Sequence, residues 1–221
     1  MLLAIMAVPS LVEYADASQC NPHCYATVKN SYFNNYGAKS NFTVEQLEEG
    51  GSCPNSFDMV VTPLWITFSD GKWVEIGVGE GRMNGTCKTV ETFYSYDGIN
   101  SNWTLHGTAT RGNTYDMKIE RSGSTTWKTY IDGGLKETYT SVYTQGKGSI
   151  GAETTDTLAI IADQDRDNIK RKSSSSSSAY YNWSTSNSQD GSNSNPPYKD
   201  ICTSYSHIII GDTSATQSAC P

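Results

Sequence analysis

Hydrophobic and polar positions alternate with a period of two through the middle of this chain. That spacing belongs to strands with one face on a core and the other free. In Lys72 to Val78, Val74, Ile76 and Val78 share one face, and Trp73, Glu75 and Gly77 share the other. Thr89 to Tyr96 sets Val90, Thr92, Tyr94 and Tyr96 against Glu91, Phe93 and Ser95. Tyr115, Met117 and Ile119 alternate with Asp116, Lys118 and Glu120, and Phe57 to Phe68 is rich in Val, Trp, Ile and Thr. Thr126 to Ile131 runs into Asp132-Gly133-Gly134, a hairpin signal, and then into a further strand over Glu137 to Tyr143. Only Glu45 to Glu49 hints at a helical period. Short strands and turns at this spacing predict an all-β, antiparallel β-sandwich of the meander or jelly-roll kind.

After Ala162 the pattern changes. Asp163-Gln164-Asp165-Arg166-Asp167 leads through Lys170-Arg171-Lys172 to six serines, Ser173 to Ser178, and a polar stretch reaching Pro196-Pro197. This reads as a long Ser-rich loop over 163–200, an excursion from a single sandwich domain spanning 18–221. Within it Tyr180, Tyr181 and Trp183 either rim a site or pin the loop down. Ile208, Ile209 and Ile210 read as a last strand returning to the sandwich.

Composition adds a compartment. The 221 residues carry a net charge of −7, only 18% charged residues and 11% aromatics, and roughly a quarter of the chain is Ser plus Thr, well above ordinary usage. An acidic chain of this kind lacks the basic face that nucleic acid requires. A mean hydropathy of −0.51 argues against several membrane spans. Residues 1–17 hold an apolar run, Leu2 to Pro9, and Ala15-Asp16-Ala17, which fit a secretory signal with Ser18 opening the mature chain. The other reading of the run is an N-terminal strand. The six cysteines, Cys20, Cys24, Cys53, Cys87, Cys202 and Cys220, make an even count that favours disulfides outside the cell or at its surface. Proximity suggests Cys20–Cys24, Cys53–Cys87 and Cys202–Cys220. Zinc, with His23 between Cys20 and Cys24, is disfavoured because paired CxxC spacings are missing.

Candidate chemistry concentrates at Trp73 and Glu75. An aromatic plate beside a carboxylate on an open strand face suits a sugar: the ring stacks on C–H faces and the carboxylate accepts hydroxyl hydrogen bonds. Tyr94 and Tyr96 extend this ligand-binding face. The same Glu75 is half of a catalytic pair if a second carboxyl faces it closely enough to split the two pKa values. Asp163, Asp165 and Asp167 resemble the opening of a calcium loop, although the sixth position lacks Gly and Ser174 stands where a bidentate Glu belongs. Calcium is accordingly the one candidate cofactor.

Several stretches, in order, resemble the concanavalin A-like lectin/glucanase superfamily: Tyr36-Gly37-Ala38, Leu64-Trp65-Ile66, Trp73 to Gly77, Thr114 to Ile119, Trp127 to Gly133, and Gly151-Ala152-Glu153. The resemblance implies a concanavalin A-like jelly roll in which Trp127 and Asp132 are structural. The chain is also similar to the glutamic peptidases of the eqolisin and neprosin types. Eqolisins pair a Gln with a Glu on one sandwich face, and neprosins pair two Glu. The surroundings of Glu75 resemble those of the first member, with Glu where eqolisins have Gln, and Gly151-Ala152-Glu153 resembles the run holding the second. This resemblance implies a Glu75/Glu153 dyad working at acid pH.

Three functions therefore stand as expectations. The first is a secreted, lectin-like sandwich whose partner is carbohydrate or another extracellular polymer. The second is a glutamic peptidase. The third is a cell-surface or filament subunit that self-assembles by donating its N-terminal strand.

Overall fold

The computed structural model describes residues 23–30, 34–49, 58–155, 158–183, 188–193, 197–203 and 205–211. Its regular elements are strands: β1 (Cys24–Asn30), β2 (Gly37–Thr43), β3 (Leu47–Glu48), β4 (Met59–Thr67), β5 (Trp73–Met83), β6 (Thr86–Asp97), β7 (Asn102–Thr108), β8 (Thr114–Ser122) and β9 (Thr126–Ile131). There follow β10 (Gly134–Thr140), β11 (Lys147–Thr154), β12 (Ile160–Ile161), β13 (Gln164–Lys172), β14 (Tyr181–Asn182), β15 (Ser188–Asn193), β16 (Tyr198–Thr203) and β17 (His207–Gly211).

Two antiparallel sheets form the layers. The first has seven strands in the order β15-β1-β11-β4-β5-β6-β7, and the second runs β10-β9-β8-β2-β13-β17-β16 with β14 alongside β13. The inward faces supply the core, including Ala26 and Val28 of β1, Leu64 and Ile66 of β4, Val74, Ile76 and Val78 of β5, and Met117, Ile119 and Trp127 of the second sheet. Their alternation with outward residues is what the sequence displayed, and the chain is an antiparallel jelly-roll β-sandwich. The β9–β10 hairpin turns through Asp132 and Gly133, both at positive φ (49° and 75°), as a two-residue turn matched to strand twist requires. Asp132 also fastens the turn, its Oδ1 accepting from the Asp116 amide at 2.9 Å. Trp127 is fully buried and donates to the Tyr143 carbonyl at 2.9 Å, a structural role for both residues.

The stretch from 163 to 200 departs from the expected loop. Gln164–Lys172 is a strand inside the second sheet, paired with β2 and β17. Its inward positions carry Gln164, Arg166 and Ile169, all buried, so a charged sequence hides a core strand. Arg166 manages this by stacking its guanidinium 4.0 Å from the Phe42 ring centre and donating to the Thr43 and Asp165 carbonyls. Trp183 is buried against Gly148, which pins the end of the Ser-rich stretch before it to the sandwich. Glu45 to Glu49 forms no helix; Leu47–Glu48 pairs with Ile160–Ile161 as a two-stranded ribbon.

Cys24 and Cys87 are disulfide-bonded. The pairing lies outside the described residues, as do Cys20, Cys53, Cys220, the Cys202 side chain, the apolar run Leu2 to Pro9 and the 1–17 segment. Among the described residues no helix is long and apolar enough to cross a membrane.

Candidate active site

The outward face of the seven-stranded sheet carries the site. Val74, Ile76 and Val78 of β5 point into the core, so Trp73 and Glu75 are left on the open side. Cross-strand register lines up a row on that side: Trp65 of β4 opposes Glu75, Glu75 opposes Tyr96 of β6, and Tyr96 opposes Trp103 of β7. Glu153 comes from β11, which is separated from β5 by β4, and it is in register with Val61 and, directly across on β1, with Tyr25. Between the two acidic positions β5 has Gly77, facing Pro63 and Tyr94. A Cβ at Gly77 would sit 2.7 Å from the Thr62 carbonyl oxygen and 3.0 Å from the Tyr94 hydroxyl. The missing side chain lets the Tyr94 ring lie over β5 with its hydroxyl close to Glu75. Glu75 and Glu153 line one depression of about 390 Å³ together with His23, Tyr25, Trp73 and Trp103.

The two carboxyls have different environments. Glu75 is 5% exposed, and Trp73 donates its indole N–H to Oε2 at 2.8 Å. Burial first, and the charge of Glu153 second, push the Glu75 carboxyl up to about 8, while the Trp73 and Tyr94 donors pull the other way. Glu153 pairs with His23 Nδ1. The hydrogen bond to Glu153 is the main cause that raises the His23 imidazole above its ordinary value, against the lowering effect of burial. The Tyr25 phenol is pushed up to about 12 by burial and by both carboxylates, so it remains a donor. The site thus holds a carboxyl kept neutral, a second carboxyl partnered by an imidazole, and a phenol that does not ionise at physiological pH. This is the separation of roles that acid–base chemistry with two carboxyls requires.

Of the expected site residues, Glu75, Glu153, Trp73 and Tyr96 share this depression. Tyr94 is fully buried beneath it and supports Glu75 rather than facing a ligand. The three aspartates are not brought together. Asp165 pairs with His207 Nε2 at 2.7 Å, Asp167 accepts from Asn41 at 3.2 Å, and Asp163 precedes the strand. An extended strand spaces alternate side chains by about 6.6 Å on one face, unlike the turn of a calcium loop. No group of three or more His, Cys, Asp or Glu among the described residues is placed to hold a metal. Tyr180 donates to Glu120 at 3.0 Å in the second sheet, so it does not rim the depression.

Sequence reasoning missed His23, Tyr25 and Trp103. Tyr25, Thr27 and Lys29 alternate with Ala26 and Val28, a legible strand signal, but their approach to Glu153 depends on the non-local pairing of β1 with β11.

No family model and no curated sequence matches the chain. Solved structures do. Scytalido-glutamic peptidase bound to a peptide-based transition-state analogue superposes with a TM-score of 0.59 at 9% identity, over 88% of this chain and 98% of that one. SCP-B, a member of the eqolisin family of peptidases in complex with the tripeptide Ala-Ile-His, gives 0.55 at 10% identity over the same shares. A carbohydrate-binding module from Bacillus subtilis gives 0.30 at 13% identity, over 62% of this chain and 72% of that one. At these identities the likeness to the two peptidases establishes the fold alone, a β-sandwich of the same kind.

Proposed function

We propose that this protein is a glutamic peptidase in which Glu153 is the general base and protonated Glu75 is the acid. One observation carries the reading: two carboxyls occupy one depression, and burial with mutual repulsion keeps Glu75 neutral up to about 8. In the proposed step Glu153 takes a proton from water, and the water oxygen attacks the scissile carbonyl carbon. The carbonyl electron pair moves to oxygen, where the Glu75 O–H stabilises the developing oxyanion. Collapse of the tetrahedral intermediate breaks the C–N bond, and the proton held by Glu153 passes to the leaving amine. Trp73 holds the Glu75 carboxyl through Oε2, which limits its rotation in the site.

Incubating an unfolded protein with the wild type and with Glu153→Gln tests this. Cleavage by the wild type that the variant loses supports the dyad; equal cleavage by both, or none, removes it.

Carbohydrate binding is the second reading, favoured by the mutually packed rings of Trp73, Tyr96 and Trp103 that wall the same depression. A glycan array with wild type and Trp73→Ala separates the two: binding lost in the variant, without proteolysis by the wild type, favours the sugar. Either reading puts the protein outside the cell or at its surface, supported by the disulfides at Cys24 and Cys87 and by the hydroxyl-rich composition.

A further inference from the structure

The open face continues past the carboxyl pair. A second depression of about 380 Å³ lies over β1, β11 and β4, lined by Tyr25, Thr27, Lys29, Trp65, Lys147 and Ser149. Tyr25 borders both depressions, and a smaller one lined by Tyr25, Trp65, Glu75 and Glu153 joins them. Together they make one groove across the strands.

Register gives the groove a direction. Lys29 opposes Ser149, Ser149 opposes Trp65, Trp65 opposes Glu75, Glu75 opposes Tyr96, and Tyr96 opposes Trp103. A single row across the sheet therefore runs from an aromatic end through the acid to a cationic end. Three interstrand steps separate Glu75 from Lys29, about 14 Å at roughly 4.8 Å per step. An extended peptide advances roughly 3.4 Å per residue, so it covers that span in about four residues. Lys147 stands beside the same end, in register with Thr67.

The cationic end has features that point to a ligand. Lys29 has no ion pair among the described residues, and Lys147 is pulled below the usual lysine range by burial and by the charge of Lys29. Two half-buried ammonium groups thus stand close enough to repel each other. Thr27, 1% exposed, lines this end with a hydroxyl that has no partner among the described residues. An anion placed between the lysines relieves their repulsion, and the Thr27 hydroxyl can donate to it.

We infer that the groove selects peptides carrying an Asp or Glu side chain three or four residues from the scissile bond, held by Lys29, Lys147 and Thr27. This rests on the peptidase reading and adds to it the substrate class. The aromatic end, with Tyr96 and Trp103, takes the apolar side chains on the other side of the cleaved bond.

The test has two arms, so that specificity and catalysis can fail separately. In the first, kcat/KM is measured for peptide pairs that differ only by Glu or Gln at that distance from the cleaved bond. The Glu peptide is expected to be preferred by roughly tenfold or more, with the preference weakening at high salt. It should collapse towards one in Lys29→Met and Lys147→Met and persist in Lys29→Arg. In the second arm, binding of the same pairs to Glu153→Gln protein is followed by intrinsic tryptophan fluorescence, which needs no turnover. Cleavage with a Glu-to-Gln ratio near one in wild type overturns the specificity and leaves the peptidase reading standing. Lysine-dependent binding of the Glu peptide without cleavage by wild type supports the cationic end and removes the peptidase reading. Equal binding of both peptides overturns the inference.

Discussion

Trp73 and Glu75 stand two residues apart on β5, and the indole N–H of the first donates to Oε2 of the second at 2.8 Å. The bond engages Oε2 and favours the ionised form of Glu75 against the larger effect of burial. In Trp73→Phe the donor is lost while much of the ring packing against Tyr96 is kept. Hydrogen bonds to charged groups contribute about 1.5–3 kcal/mol, so the Glu75 carboxyl should rise by about one to two pH units. The alkaline limb of the kcat profile is expected to move up accordingly. An unchanged limb contradicts control of Glu75 by Trp73.

The buried carboxyls should also set the pH dependence of stability. Glu75 in the folded state is raised to about 8, and Glu80, on the inward side of β5, is raised to about 7 by burial and the charge of Glu91. A raised carboxyl gives stability that is fully present below its unfolded pKa and is lost as pH rises towards the folded value. Between about pH 4 and 8 the unfolded chain ionises first, at a cost to the fold of up to about 4 kcal/mol for Glu75. Thermal unfolding of wild type and Glu75→Gln should therefore diverge as pH rises, with the variant more stable near pH 8 and the gap closed near pH 4. Glu80→Gln should follow the same course while keeping peptidase activity. A gap independent of pH opposes this account.

Gly151 fixes the distance between β1 and β11. A Cβ there would fall 2.2 Å from the Ala26 carbonyl oxygen and 2.9 Å from the Thr27 Cα. Gly151→Ala has to push the strands apart, which should lower stability by at least about 2 kcal/mol and shift His23 and Tyr25 away from Glu153. Denaturant melts and activity per folded molecule should both fall. Loss of stability alone separates the strand spacing from the site.

Trp127 tests the opposite assignment. Trp127→Phe removes a buried donor to Tyr143 and part of a packed ring, for an expected cost of about 2–4 kcal/mol. It lies in the second sheet, away from the groove, so activity per folded molecule should hold. A selective loss of activity would make Trp127 functional.

How far the sequence revealed this arrangement varied with the kind of signal. The alternation of Trp73 to Val78 gave both faces of β5, and Asp132-Gly133 gave the hairpin, because each is a local pattern. The alternating run covers only the first part of β5. The strand continues through Gly79-Glu80-Gly81 to Met83 across a register shift, with Gly81 at a φ of 98°, and a glycine pair in the sequence looks like an end. Tyr94 lies on the same side of β6 as Tyr96, and its burial there follows from the ring of Trp103 on the neighbouring strand, 5.0 Å away. β13 was hidden because Gln164 and Arg166 stand where apolar residues usually mark a core strand. Glu153 was reached through resemblance, since nothing local distinguishes it; its meeting with Glu75 is made by two strands far apart in sequence and joined through β4.

The central claim is that Glu75 works as a neutral carboxyl. A protonated Glu and a Gln both offer one acceptor and one donor in nearly the same shape, so the roles survive the exchange: the Gln oxygen accepts from Trp73 and its NH₂ faces the oxyanion. The decisive measurement is kcat against pH for wild type and Glu75→Gln on one peptide substrate. The account predicts wild-type activity that declines as pH passes about 8. Glu75→Gln should be active within about tenfold of wild type and lack that decline, while Glu153→Gln loses roughly 10³-fold. An inactive Glu75→Gln, or one that keeps the same alkaline decline, would contradict it.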